Sequence, residues 1–471
     1  MSKPLPPSFQ TRMQAQLGPD FPAFEEALAA PSPTSVRVNT AKVPLPANLE
    51  RVPWAETGFY LPVRPSFTLD PLLHGGAYYV QEASSMFLEQ ALKQSVELEE
   101  PLAVLDLCGA PGGKSTHIAS LLSPESLLVA NEVIRTRSNI LAENIQKWGT
   151  GNVVVTNNDP SHFGQLTGFF DLMVVDAPCS GEGMFRKDPD AMDEWSEANV
   201  KLCSERQRRI LMDVWDALKP GGVLIYSTCT YNAEENELNL AWLATQQDVE
   251  PVQLQLQPEW GVTETQEEGM HGYRFYPHRA QGEGFFLAVV RKTEGEEAGK
   301  FRKSKRPYLV QASKQEKMLV KDWLKNSDDW EIVKHQDTLR ALPANWMLEL
   351  EQIYEKLRVV YGGIELAEVL KNNPKPLPAL ALSQHLASEV FPRVEVDVAT
   401  ALKFLHREDV TLEEAENGWV LVQFKGIPLG WGKKLQNRVN NHYPKEWRIR
   451  MSLDEALQDE NLSQLFTLPV G

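Results

Sequence analysis

The sequence predicts an α/β protein built on a doubly wound, mostly parallel sheet, with a smaller module before it and smaller modules behind. Three observations predict it. Between Leu102 and Lys292, short apolar runs alternate with longer stretches of helical period, the pattern of strands joined by crossover helices. The apolar runs, such as "LAVLDLC" and "FFDLMVVDAP", are continuous rather than alternating, which suits strands buried on both faces. The first run leads through a glycine-rich turn into a helical stretch, "DLCGAPGGKS", Asp106 to Ser115.

Taken in order, residues 1–98 are rich in proline and carry short strand-like runs, "TSVRVNT" and "GFYLPV". They read as a small α+β module. The central domain spans 99–293. "LAVLDLC" is its first strand and "KSTHIASLL" its first helix; "SLLVANE" is the second strand. "RTRSNILAENIQKWG" is a helix that Gly149 closes, glycine being the residue that takes the left-handed conformation past a helix end. "NVVVTNND" and "FFDLMVVDAP" are strands three and four. "EANVKLCSERQRRILMDVWDALKPGG" is a long helix stopped by Pro220 and two glycines. In it, Val200, Cys203, Leu211, Val214 and Leu218 form a core stripe. "VLIYSTCT" is the fifth strand, "AEENELNLAWLATQ" a helix and "GFFLAVVRK" a late strand. Residues 294–378 read as a polar linker followed by a mainly helical domain, with a break at "NNPKPLP". Residues 379–471, with "NGWVLVQFKGIPLGWG", read as a small β-rich domain.

The chain has 471 residues, 42% hydrophobic and 24% charged, a globular composition spread over two to four domains. No apolar stretch approaches the length of a membrane span, and "MSKPLPPSFQ" has no apolar run after its lysine, so neither a spanning helix nor a signal peptide is expected. Cysteines stand at 108, 179, 203 and 229 with no C-x-x-C pair. Reduced thiols in the cytoplasm and no structural zinc are the expectation. The net charge is −17, which opposes a polyanion partner unless basic patches are local. Two are. Lys300–Lys325 holds nine Lys/Arg against two acids, and Lys425–Arg450 seven against one, both interleaved with aromatics. Acids crowd elsewhere, as in "NAEENELN". The pattern favours RNA or DNA as partner.

The glycine turn nearly spells a phosphate loop, G-x-x-x-x-G-K-[ST]. Gly113, Lys114 and Ser115 fit, but Cys108 stands where the first glycine belongs and Gly109 comes one residue late. The loop is one residue short of wrapping a phosphate. An NTPase is therefore the weaker reading, although "LMVVDAP" imitates a magnesium-holding strand end. In the stronger reading the turn lets an adenosine approach the backbone at the carboxyl ends of the strands. Glu132, closing strand two, can accept from ribose hydroxyls, and Asp159, closing strand three, from an adenine amine. S-adenosylmethionine has those groups. Spacing alone leaves a helix N-cap as an equal reading for either acid.

Cys179 in "DAPCSGEG" and Cys229 in "YSTCTYN" stand at two adjacent strand ends over the same crevice. Two thiols near a methyl sulfonium suit methylation of a pyrimidine carbon 5. A thiolate adding at carbon 6 makes carbon 5 nucleophilic, and loss of the carbon-5 proton then expels the thiol. Asp176 can hold the ring N3 and exocyclic amine. Spacing does not say which thiol attacks. Buried packing remains the bland alternative for each cysteine, and a non-catalytic RNA binder with a vestigial site remains a third reading.

Taken together, "DLCGAPGGKS", "DAPCSGEG" and "STCTYN", with "YYVQEASSM" (Tyr78–Met86) ahead of them, resemble the Sun-type RNA 5-methylcytosine methyltransferases over about residues 34–292. The resemblance implies a Rossmann-like fold that uses S-adenosylmethionine, held by Cys108, Gly109, Ala110, Pro111, Gly112, Gly113, Lys114, Glu132, Asp159 and Asp176. It implies Cys229 as nucleophile, Cys179 as the thiol assisting adduct release, Asp176 facing the base and Lys114 near the reacting centre. The flanks look like those of the bacterial ribosomal members: an N-terminal RNA-binding extension and a PUA-type C-terminal domain. That implies 16S ribosomal RNA as partner, either as free RNA or within the assembled small subunit, no membrane, and a monomer. Lys425, Lys433, Lys434 and Arg438 are the expected contacts to the RNA backbone.

Overall fold

The structure, a computed structural model, describes residues 4–299, 307–370, 373–387, 389–412, 415–436 and 438–453. Lys300 to Arg306, the first part of one basic run, therefore lies outside the described residues. Among the described residues no helix is long and apolar enough to cross a membrane.

The chain opens with α1 (Pro7–Leu17) and α2 (Phe21–Ala29), each with a proline in its first turn. A three-stranded antiparallel sheet follows, from β1 (Thr34–Val38), β2 (Gly58–Leu61) and β3 (Tyr78–Val80), in the order β2-β1-β3. The short α3 (Pro71–His74) precedes β3, and α4 (Leu88–Ser95) leads to the central sheet.

That sheet is built from β4 (Ala103–Asp106), α5 (Gly113–Leu121), β5 (Leu127–Asn131), α6 (Arg135–Trp148), β6 (Val153–Thr156), β7 (Phe170–Asp176), α7 (Ala191–Glu194), α8 (Glu197–Trp215) and β8 (Leu218–Thr228). It continues through α9 (Glu237–Gln246), β9 (Val249–Pro251), β10 (Thr263–Glu267), β11 (Met270–Phe275) and β12 (Phe285–Lys292). The strands β8-β7-β4-β5-β6 are parallel neighbours. Winding runs from β4 through β5 to β6 on one side and to β7 and β8 on the other, so the switch point falls at β4 and β7. Ligands bind outside the carboxyl ends of strands at such a point. Val104 and Leu128 point to one apolar layer, Leu105 and Val129 to the other. This two-sided burial explains the continuous apolar runs.

One expected boundary moves. α8 ends at Trp215, and β8 already begins at Leu218, which pairs with Phe170. The residue before a proline is pushed towards extended backbone, so Lys219 before Pro220 favours strand, and Leu218 leaves the helical stripe.

The expected mainly helical domain in 294–378 is corrected. β13 (Val310–Gln311), α10 (Lys314–Val320), β14 (Trp330–His335), β15 (Thr338–Pro343), α11 (Met347–Lys356), β16 (Val359–Gly362), β17 (Ile364–Leu370) and β18 (Asn373–Pro376) follow one another. Five of these strands form an antiparallel sheet, β13-β14-β15-β17-β18, while β16 adds to the outer edge of β6. Runs such as "IELAEVL" carry helix-forming residues, but their long-range pairing overrides local propensity.

The last unit contains α12 (Pro378–Leu382), β19 (Arg393–Glu395), α13 (Val398–His406), β20 (Gly418–Phe424), β21 (Ile427–Leu435) and β22 (Arg438–Asn441), with the sheet order β19-β20-β21-β22. Its core is continuous with the first sheet: Val36, Phe59 and Tyr78 pack with Leu402, Val420 and Ile427.

Candidate active site

The glycine turn leaves β4 at the switch point. Gly112 takes φ 118°, the left-handed region open to glycine, and caps α5. A Cβ at Gly109 would stand 2.7 Å from Ser115 Oγ, so only glycine lets the turn close there. Neighbouring elements hold the turn's backbone. Gly109 N donates to Asn131 O (2.7 Å), Arg137 Nη2 to Ala110 O (2.8 Å) and Asn144 Nδ2 to Pro111 O (2.7 Å).

Carboxylates surround this turn. Asp106 is fully buried; Ser115 Oγ donates to its Oδ2 (2.6 Å), and its Oδ1 has no partner. Burial, opposed by Ser115 and reinforced by the charge of Asp176, pushes its pKa up to about 7. Glu132 is 3% exposed, accepts from Ile134 N (2.9 Å) and lies 3.3 Å from Arg137. Burial raises the Cys108 thiol, and the charges of Asp106, Asp176 and Glu132 raise it further. The nearby cation, Lys114, sits 2.9 Å from Asp176 Oδ2. Burial pulls the Lys114 ammonium down, but Asp176, Asp106 and Cys229 outweigh that and the net shift is upward. A pocket with this many acceptors suits ribose hydroxyls and a sulfonium cation; it repels a triphosphate. The orphan Oδ1 of Asp106 likewise waits for a donor, and the residues fit S-adenosylmethionine. Asp159 stands one strand further out, where its Oδ1 accepts from Ser161 N (3.1 Å) and Ser161 Oγ (2.7 Å) as the N-cap of a short turn.

The two cysteines meet. Cys179, past the end of β7, and Cys229, past the end of β8, place their Sγ atoms 3.1 Å apart, and Cys229 N donates to Cys179 Sγ (3.3 Å). Both are free and half-buried. The hydrogen bond with Cys229, then burial, raises the Cys179 thiol well above its usual range. Asp176 closes β7 beside them: Ser227 Oγ donates to its Oδ1 (2.8 Å), and its side chain is 34% exposed. Cys203 is 4% exposed on α8, in the core as its stripe requires.

Behind the cysteines lies a polar net that the sequence reading missed. Glu235, fully buried, accepts from Ser180 N (2.9 Å), Gln207 Nε2 (2.8 Å) and Asn232 Nδ2 (2.7 Å), tying the Cys179 loop to the Cys229 loop. Glu182, also fully buried, accepts from Trp195 Nε1 (2.9 Å) and Tyr231 N (3.0 Å) and lies 2.7 Å from Arg12 of α1. Glu237 pairs with Arg274 inside the protein. "NAEENELN" reads as surface by its charge, yet Glu235, Asn236 and Glu237 are all buried. Its one signal is the spacing of asparagines and glutamates that can satisfy one another. Of the expected RNA contacts, Lys433 stands over the Trp419 ring (5.1 Å), Lys434 Nζ donates to Leu412 O (3.0 Å), and Arg438 begins β22. Lys425 lies in the turn at the other end of β21.

A Rossmann-like sheet, a glycine turn ringed by acids and a thiol pair over the same crevice define an S-adenosylmethionine-dependent methyltransferase. Comparison with known proteins narrows the class. Residues 93–291 match a family model described as 16S rRNA methyltransferase RsmB/F; residues 5–83 match the N-terminal domain of 16S rRNA methyltransferase RsmF, and 391–449 the methyltransferase RsmF PUA domain. The chain is 33% identical to ribosomal RNA small subunit methyltransferase F of Vibrio campbellii, covering 94% of this chain and 97% of that one. It is 32% identical to the protein of that name from Shewanella loihica, over 91% and 92% of the two chains. NSun6 from Pyrococcus horikoshii, solved with SFG, shares the fold over 61% of this chain and 98% of its own, at TM-score 0.52 and 21% identity. The chain belongs to the ribosomal RNA small subunit methyltransferase F family, enzymes that methylate ribosomal RNA with S-adenosylmethionine.

Proposed function

We propose that this enzyme methylates carbon 5 of a cytosine in 16S ribosomal RNA through a covalent bond between Cys229 and the base. The observation that carries the reading is the 3.1 Å approach of the two sulfurs beside Asp176 and Lys114 at the crevice of the glycine turn. S-adenosylmethionine, cradled by residues 108–114 with Glu132, Asp159 and Asp176, supplies an electrophilic methyl group when bound. The remaining work belongs to the chain. Cys229 Sγ bonds to carbon 6, and the electron pair displaced from the 5,6 double bond makes carbon 5 nucleophilic. Asp176, with an exposed carboxylate edge, accepts from the exocyclic amine and, once N3 has taken up the proton given up by Cys229, from N3–H, offsetting charge as the ring is attacked. Lys114 holds that carboxylate in place. After methylation carbon 5 carries both a methyl group and a proton. Solvent takes that proton, the freed electron pair restores the double bond, the bond between Cys229 and carbon 6 breaks, and the N3 proton returns to Cys229. Cys179, whose thiol stays protonated beside Cys229, assists this release.

A target inside a helix must be unstacked before a sulfur reaches carbon 6. The half-buried thiols and the part-exposed Asp176 carboxylate suit a base presented alone. The experiment is a pair of variants incubated with small-subunit RNA and cofactor. Cys229→Ala abolishes methylation and traps nothing. Cys179→Ala accumulates a protein–RNA adduct that survives a denaturing gel. Methylation by Cys229→Ala would refute the nucleophile assignment.

A further inference from the structure

A cavity lies at the end of the sheet that carries Cys229. Phe286 of β12 pairs antiparallel with Thr228 of β8, so the connection from β11 to β12 runs beside Cys229. Contact is direct: Gly183 N donates to Cys229 O (2.9 Å), and a Cβ at Gly183 would stand 2.3 Å from Gly284 O. Two residues back along that connection, Gly282 borders a cavity of about 860 Å³ whose far wall is the N-terminal module around β1 and β2. Pockets of ~300–1,000 Å³ hold ligands of nucleotide size.

Its lining is cationic in a chain of net charge −17: Arg64, Arg186 and Arg279 face it, against Glu50, and His278 lines it beside them. The arginines differ in what they have left to offer. Arg186 is spent on the wall itself, with Nε on Glu283 (2.9 Å), Nη2 on Gly282 O (2.7 Å) and Nη1 on Ala27 O (3.3 Å). Arg64 and Arg279 are exposed; the first rests over the Phe67 ring (5.3 Å), and the second pairs with the equally exposed Asp20. His278 packs edge-on against Phe24 at 5.8 Å, and both of its ring nitrogens are buried without a partner. Burial pulls that imidazole down. With both nitrogens turned away from the cavity, what the ring shows it is carbon, a surface on which a nucleobase can stack.

We propose that this cavity is a second nucleotide subsite, taking a residue of the substrate RNA that flanks the target, with its phosphate between Arg64 and Arg279 and its base against His278. The inference rests on the RNA-methylation reading and adds to it how a neighbour is held. Extruding one base unstacks the next. Capturing that neighbour offsets the loss and makes methylation depend on a base that does not react.

The test compares the wild type, an Arg64→Gln/Arg279→Gln double variant and His278→Ala. Substrates are small-subunit RNA and the same RNA with an abasic residue at successive positions around the target. The double variant should raise KM about tenfold with kcat held, and its binding should depend on salt with a log–log slope shallower by ~0.7, the value for one lost phosphate contact on a single strand. His278→Ala should raise KM on intact RNA, and one abasic position should cancel the difference from wild type. Melting temperature and S-adenosylmethionine affinity should not move. Unchanged KM and salt slope in both variants, or no cancelling position, overturns the proposal. So does a cavity that binds a free nucleoside monophosphate in a His278-dependent way while RNA kinetics stay the same. A wild type that transfers no methyl group to carbon 5 would sink the methylation reading alone, because RNA binding by the same variants still reads the cavity.

Discussion

Asp106 closes the first parallel strand with a carboxylate that has one donor, Ser115, and one empty oxygen. Burial first, then the charge of Asp176, lifts its pKa to about 7 against the stabilising Ser115 hydrogen bond. The linkage has a definite sign. A carboxyl with a raised folded pKa contributes stability that is fully present below its unfolded pKa of 3.8 and lost as pH rises through about 7. Above that the fold holds a buried charge. Asp106→Asn keeps the shape and removes the charge. The unliganded variant should melt higher than wild type at pH 8, with the gap closing towards pH 4. At ~1.4 kcal/mol per unit the swing is up to about 4 kcal/mol. Scanning calorimetry across that range reads it, and a gap that does not change with pH would place the pKa elsewhere. At this scale the sequence was most legible where chemistry demands a residue type in a loop. Cys108, Lys114, Glu132, Asp176, Cys179 and Cys229 converge as their strand ends require. Glu182 and Glu235 were not legible, because a buried carboxylate is recognisable only from the donors around it, and those come from other elements.

Between elements, Glu235 joins what the two cysteine loops need. It binds the Cys179 loop at Ser180 N, the Cys229 loop through Asn232, and α8 through Gln207. Removing the side chain leaves Ser180 N without its acceptor, while Gln207 Nε2 keeps Pro178 O and Asn232 Nδ2 keeps Thr230 Oγ1; one unsatisfied buried group costs about 1–3 kcal/mol. Glu235→Ala should therefore lose about 1–3 kcal/mol in urea unfolding. It should also slow adduct formation in a Cys179→Ala background while leaving S-adenosylmethionine affinity near wild type, since the glycine turn is braced separately by Asn131, Arg137 and Asn144. A variant that lost stability but formed adduct at the normal rate would reduce Glu235 to a packing residue. Legibility at this scale follows the range of the interactions. The β4–α5–β5–α6 succession is local, and its periodicity and glycine punctuation are readable from the chain. The stretch 308–375 is not, since two of its strands depend on partners distant along the chain: β17 on β15, across the intervening α11, and β16 on β6 in the catalytic sheet. Leu, Ala and Glu in β17 favour helix in isolation, and only the pairing decides otherwise.

Across the whole molecule, the C-terminal sheet is a spacer with two buried faces. Along β20, Val420 and Val422 pack towards the N-terminal module, while Leu421, with Trp431 of β21, packs towards the middle sheet. This period-two division fixes which parts of the sheet remain for RNA. The four expected contacts do not share one edge. Lys425 sits in the β20–β21 turn, its backbone N–H on Glu395 and its charge near Asp70 of the N-terminal module. The β21–β22 turn lies at the opposite end of a nine-residue strand, some ~30 Å away at 3.3–3.4 Å per residue. There Arg438 joins Arg407, Lys445 and Arg448 around a cavity of about 700 Å³ in which Asp409 is the acid. A polyanion is attracted to the end where cations gather, since each neutralised phosphate releases counterions. Replacing Arg407, Arg438 and Arg448 with glutamine should weaken RNA binding across sequences and make its salt slope shallower by about 2 to 3, at ~0.7–0.9 per lost contact. Lys425→Gln should leave that slope unchanged. Titrations of small-subunit RNA at several salt concentrations separate the two ends. A larger effect from Lys425 would mean that the RNA crosses the junction with the N-terminal module instead, at the opposite end of β21 from the arginine cluster.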